Sequence, residues 1–278
     1  MSETDLLCES CGYSIAGLPE TGNCPECGTP IPESLPETRT GSAWQKRCAR
    51  SAPTRLGEAG HQERAKGALA AWLSTNWNVV RRRGACFRLL RADMAGVRSL
   101  LAINLVVSGA LLALPWTGVW LYDPARGARG ASGVLLQLAS LIAITLIAGL
   151  VLLSLTWIEC LGIRFFAARR SWRLTRAMAW QVCAHASVGW LAAGPCVWAA
   201  LLLTSTLAGS TQLIAGIVSV RDLIGGGLIF TAILVGMLAF EVLVYLGVRR
   251  CRFANGPRGI AGRRSPVAPG AIPSPRDE

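Results

Sequence analysis

Residues 133–159, GVLLQLASLIAITLIAGLVLLSLTWIE, run without a charge until Glu159. A helix needs about 20 apolar residues to cross a hydrocarbon core of about 30 Å, and this stretch exceeds that length. Three further apolar stretches accompany it, which places candidate spans near 99–121, 133–160, 180–207 and 223–247. The pattern predicts a mainly α, integral membrane protein built on a four-helix transmembrane bundle. Gly194-Pro195 sits in the middle of the third span and predicts a kink there, because proline cannot donate its backbone bond. A fifth apolar piece, residues 213–220, is too short to span; a re-entrant or interfacial segment or a helix extension would suit it.

Composition agrees with the spans. The 278 residues are 52% hydrophobic and 16% charged, whereas an ordinary soluble domain carries about 25% charged residues. Ten cysteines in a chain of this length are too few for a disulfide scaffold. A soluble enzyme and a cystine-rich secreted domain are both excluded. No HExxH, GxSxG, P-loop or supported GxGxxG motif is present, so nothing in the sequence argues for an enzyme.

Loop charges orient the spans. Counting Lys and Arg outward from residues 43–98 through the three loops to the tail gives twelve, two, five, one and seven. Under the positive-inside rule this alternation puts both termini in the cytoplasm. Trp116 and Trp120 then fall at the outer end of the first span as interfacial anchors. The opening MSETDLLCES lacks a basic start followed by an apolar core, so it does not read as a secretory signal.

Charge also divides the polar part. Residues 1–37 hold seven acids and no Lys or Arg, although the whole chain has a net charge of +12. Residues 38–66 read as a flexible linker, and residues 255–278, rich in proline, as a disordered tail. Residues 67–98 mix Trp72, Trp77, Phe87 and Leu89 with Arg81, Arg82, Arg83, Arg88 and Arg91. That composition predicts a basic amphipathic helix on the inner membrane surface, its arginines facing anionic lipid headgroups.

The acidic segment carries the strongest chemical signal, Cys8-x2-Cys11 and Cys24-x2-Cys27 separated by twelve residues. Two thiolates two residues apart curl round one cation, and the glycines that follow, Gly12 and Gly28, relieve the turns. Four sulfurs complete a closed tetrahedral shell, which suits one structural Zn2+ ion. Iron in a rubredoxin-like site is the weaker alternative, and the cytosolic placement disfavours two disulfides. A ribbon core over residues 6–30, made of short β hairpins, would draw its folding energy from the metal.

The residues Cys11-Gly12-Tyr13, Gly17-Leu18-Pro19 and Cys24-Pro25-Glu26-Cys27-Gly28 resemble the zinc-ribbon leader of bacterial multi-pass membrane proteins of unknown function. In that family a CGYxLxGL segment precedes CPECG, then a linker and several spans. Ile15 stands where leucine is frequent, which leaves the ligands untouched. The membrane part is vaguely similar to the Yip1-like group, where five spans are usual against four here. The resemblance implies a bacterial inner-membrane setting and no known reaction.

Without bases in its first 37 residues, the ribbon has little to offer nucleic acid. A cytosolic protein partner, or docking on the chain's own basic juxtamembrane surface, fits its charge better; a passive stub that caps the N-terminus is a separate reading. The leading expectation is a non-catalytic scaffold or sensor. The alternative is a small transporter or channel-like protein, because Asn104, Glu159, His185 and Glu241 fall at comparable depth, roughly 5–12 Å below the inner interface at 1.5 Å per residue. In the plainer reading Glu159 pairs with Arg164, Glu241 pairs with Arg249 or Arg250, and His185 bonds a helix carbonyl.

Overall fold

A computed structural model of the chain describes residues 6–50, 59–121, 131–206, 213–214 and 218–255. It is mainly helical: α1 (Ala43–Arg50), α2 (Ala59–Arg81), α3 (Arg83–Arg88), α4 (Val97–Leu121), α5 (Ala131–Arg169), α6 (Arg176–Ala186), α7 (Ala193–Thr206) and α8 (Val220–Cys251) follow the cysteine-rich segment. Four stretches are long and apolar enough to cross a membrane: Val97–Pro115, Val134–Arg169, Arg176–Thr204 and Ile224–Cys251. Such a belt of exposed apolar side chains belongs to a membrane protein. It is widest on α5, where Leu136, Ile142, Leu150 and Phe166 are all exposed. A helix apolar all round has no polar face to give to water, which is the pattern of a span.

The third span breaks one turn before the expected place. A short 3-10 turn, Ser187–Ala192, separates α6 from α7, and Pro195 is the third residue of α7. Proline is tolerated in a first helical turn, where its missing N–H would be unpaired anyway, but its ring crowds the carbonyl four residues back. The strain therefore falls on the preceding turn. There Gly189 lies against the backbone of Phe240 in α8, so close that a Cβ would overlap it. Trp190, buried beside it, stacks on Phe240 at 4.8 Å and donates from Nε1 to Thr156 Oγ1 of α5 at 3.3 Å.

Small residues set the other helix crossings. A Cβ on Gly109 of α4 would stand 2.6 Å from the Thr145 carbonyl oxygen of α5, and one on Gly236 of α8 would stand 2.6 Å from Ala193 Cβ of α7. Helices that meet lipid elsewhere gain little from hydrophobicity alone, so close backbone approach is what holds them together.

Three expectations require correction. Residues 38–66 are not one flexible linker. Ser42 and Gln45 form a reciprocal capping box, Ser42 N donating to Gln45 Oε1 at 3.1 Å and Gln45 N to Ser42 Oγ at 3.2 Å. The helix α1 that starts there buries Trp44 and Gln45, and α2 begins at Ala59. Residues 67–98 are not one surface helix either. They comprise the end of α2, then α3 and a loop, with Val79, Phe87 and Leu90 fully buried against α6 and α8 while Leu69, Leu73 and Trp77 stay exposed. The apolar side chains that gave the segment its amphipathic pattern are shared between core and surface. Residue 255, expected in the disordered tail, is buried and hydrogen-bonded; residues 256–278, linker residues 51–58 and the side chains of Trp116 and Trp120 lie outside the description. The apolar piece 213–220 contributes β1 (Leu213–Ile214) and β2 (Val218–Ser219), an antiparallel pair leading into α8.

Gly109→Ala should loosen the α4–α5 crossing by about 1–3 kcal/mol, the usual cost of forcing a methyl into a tight contact. Thermal unfolding in micelles, compared with Gly67→Ala, which meets nothing within 4 Å, checks this.

Candidate metal centre

The cysteine-rich segment folds round two knuckles of the same design. Cys8 N donates to the Tyr13 carbonyl and Gly12 N to the Cys8 carbonyl, each at 2.8 Å; Cys24 with Thr29, and Gly28 with Cys24, repeat the pair at 2.8 Å. Gly12 and Gly28 take left-handed φ values of 84° and 71°, which a side chain would oppose. The expected hairpins are reduced to two isolated bridges, Leu7 with Ser14 and Asn23 with Pro30. Pro30 has no N–H to extend its ladder, and Pro19, Pro25 and Pro32 remove further donors nearby.

Cys8, Cys11, Cys24 and Cys27 bring their sulfurs within 4.8 Å of one another. Cys8 and Cys27 are 3.6 Å apart, as are Cys11 and Cys24. A tetrahedral thiolate site with metal–sulfur bonds of about 2.3 Å has edges of about 3.8 Å, so the donor set fits a metal ion. None of the four is in a disulfide. Hydrogen bonds from the Thr29 hydroxyl and backbone N–H bring the Cys27 thiol down to about 6, whereas partial burial pushes Cys11 up to about 12. Thr29 thus favours the thiolate form of Cys27, the form that binds a metal ion.

The ribbon is seated on the bundle. Asn255, just past α8, donates from Nδ2 to the carbonyls of Leu7 (2.7 Å) and Ser34 (2.6 Å), and its Oδ1 accepts from Leu7 N (3.0 Å) and Arg173 Nη2 (3.1 Å). Its own N–H donates to Glu9 Oε1 at 3.2 Å. Glu9 also receives both arms of Arg39, each at 2.7 Å, and Arg39 Nη1 reaches the Leu90 carbonyl at 2.9 Å. Burial works against the Arg39 charge, but the Glu9 hydrogen bonds, the Glu9 charge and the neighbouring Cys251 together more than offset it and hold the guanidinium above its ordinary pKa. Gly12 is needed twice, since a Cβ there would stand 2.8 Å from the Phe253 ring.

Of the polar side chains expected in one layer, Asn104 and His185 sit in separate hydrogen-bond networks, whereas Glu159 and Glu241 lie within electrostatic reach of each other. Asn104, fully buried, accepts from Trp72 Nε1 (2.7 Å) and Asn76 Nδ2 (3.1 Å) and donates to Ser187 Oγ (2.9 Å) and Asn76 Oδ1 (3.4 Å). All four of its bonding positions are used. His185 has Nδ1 at 2.8 Å from the Gln181 carbonyl and Nε2 at 3.0 Å from Ser42 Oγ. A carbonyl only accepts, so Nδ1 carries the proton and Nε2 accepts from the serine. Glu159 and Glu241 are half-buried and belong to neither group. The pairings of Glu159 with Arg164 and of Glu241 with Arg249 or Arg250 are not made among the described residues. Arg81, Arg82, Arg83, Arg88 and Arg91 are all exposed; Arg91 pairs with Asp93 at 3.0 Å, and Arg81 lies over Trp77 at 5.2 Å.

Sequence reading passed over Arg39, Ser42, Gln45, Asn76 and Asn255, and took Trp72 for part of a membrane-surface face rather than a partner of Asn104. The Ser42-x-x-Gln45 spacing was a readable helix start; Asn255 carries no local signal. Comparison of the chain with protein-family models, curated proteins and solved structures gives no match.

Asn255→Ala should unseat the ribbon at a cost of about 2–4 kcal/mol, because Leu7 and Ser34 lose buried partners. Faster amide exchange over residues 7–15, with exchange in α5 unchanged, is the expected reading.

Proposed function

We propose that this protein is a non-catalytic membrane scaffold whose zinc-bound ribbon caps the cytoplasmic end of a four-span bundle and presents its outer face to a cytosolic protein. The seam formed by Asn255, Glu9 and Arg39 carries this reading: the ribbon is held in one place by buried polar bonds rather than tethered loosely. Zinc suits the four sulfurs better than iron because the loop between the two knuckles is short. The cation counts of the loops support cytoplasmic termini in a bacterial-type inner membrane, and the exposed Arg81–Arg83 run supports contact with anionic headgroups. The ribbon's outer face is acidic and includes the exposed Tyr13 and Glu26, which favours a protein surface over nucleic acid. Both ring nitrogens of His185 are engaged by neighbours, which removes His185 as a free proton carrier in the transporter reading.

Cys24→Ser tests the cap. The purified wild-type chain should carry about one zinc per chain, and the variant should lose it while still inserting into membranes. A photo-crosslinker at Tyr13 should capture a defined cytosolic protein in cells with wild type and fail with the variant. Crosslinks that are identical in both would overturn the proposal, as would iron in place of zinc for the metal assignment.

A further inference from the structure

Between the ribbon and the end of α8 lies a cleft of about 580 Å³, within the usual range of small-ligand sites, about 300–1,000 Å³. Arg88 of α3 and Arg249, Arg250 and Arg252 at the end of α8 line it, with Ser10 and Glu33 on the ribbon side. Arg252 is committed, donating from Nη2 to the Ser10 carbonyl at 2.6 Å. Arg88, Arg249 and Arg250 are different: all are exposed, and none makes an ion pair with a described residue.

Their convergence has a local cause. The Arg250 guanidinium lies across Gly84, its Nε 3.4 Å from where a Cβ would stand. Arg88 follows Gly84 by four residues on α3 and so occupies the same face. Glu9, the other acid of the cleft, is already neutralised by Arg39. That leaves Glu33 alone against four guanidinium groups. Like charges gathered this way repel one another unless an anion sits among them, and guanidinium forks match phosphate oxygens.

We infer that this cleft is a phosphate-binding site, in which Arg88, Arg249 and Arg250 hold a phosphate group at the seam between ribbon and bundle. The phosphate comes from an anionic lipid headgroup or from a free phosphate-bearing anion, since the cleft opens where α8 ends.

The full-length protein, purified in non-ionic micelles, is titrated with phosphatidylglycerol, phosphatidylcholine and inorganic pyrophosphate, and bound molecules are counted by native mass spectrometry. Wild type should retain a phosphatidylglycerol or pyrophosphate adduct. The triple variant Arg88→Gln, Arg249→Gln, Arg250→Gln should bind it about tenfold or more weakly, with its metal content unchanged. Phosphatidylglycerol that pyrophosphate fails to displace identifies a headgroup; displacement, with pyrophosphate binding by itself, identifies a free anion. A second measurement needs no variant: either ligand should slow phenylglyoxal modification of Arg88, Arg249 and Arg250 in wild type but leave Arg81, Arg82 and Arg83 reactive. Equal retention by wild type and variant, equal retention of phosphatidylcholine, or protection spread evenly over both arginine groups would overturn the site.

Discussion

A primary amide laid against a bare backbone edge can satisfy a donor and an acceptor of that edge together, and Asn255 does this for Leu7. The ribbon depends on it. Its knuckles spend their backbone groups on the turns that aim the sulfurs, and its prolines and two isolated bridges leave little ladder to occupy the rest. A buried backbone group without a partner costs about 1–3 kcal/mol, so the segment needs bonds from outside itself. Asn255 and the Glu9–Arg39 pair supply them. The sulfur cluster fixes the shape of the ribbon, and these side chains fix its position.

The bundle solves a related problem with different means. Where backbones must approach, glycine removes the obstacle: Gly109 at α5, Gly189 at α8 and Gly236 at α7. Two of the polar side chains that enter, Asn104 and His185, are gathered into small hydrogen-bonded groups. Asn104 draws α2 onto the 3-10 turn through Trp72, Asn76 and Ser187. His185 draws the capping box of α1 onto α6 through Ser42. Such groups specify a single arrangement because any shift would strand a buried donor or acceptor. The juxtamembrane helices thereby belong to the same folded body as the spans.

Features set by local sequence were legible, and features set by distant partners were not. The four apolar runs and the paired knuckles follow from residues close together in the chain, so spans and candidate ligands could be placed without coordinates. The stretch before α4 misled because Phe87 and Leu90 look the same in sequence whether they meet lipid or core. Counting along the spans puts Asn104, Glu159, His185 and Glu241 at one depth, but counting does not give the direction each faces. Asn104 and His185 turn into separate networks, and the two glutamates come within electrostatic reach of each other. Asn255 stands 248 residues from Leu7, and a lone asparagine beside a proline-rich stretch gives no hint of such a partner.

That separation governs how the molecule is assembled. The cysteine-rich segment leaves the ribosome before the spans do, yet its seat is not complete until Asn255 has been made. For nearly the whole of synthesis the head must wait as a self-contained bead. Its final lodging then reports that every intervening helix has been threaded in order.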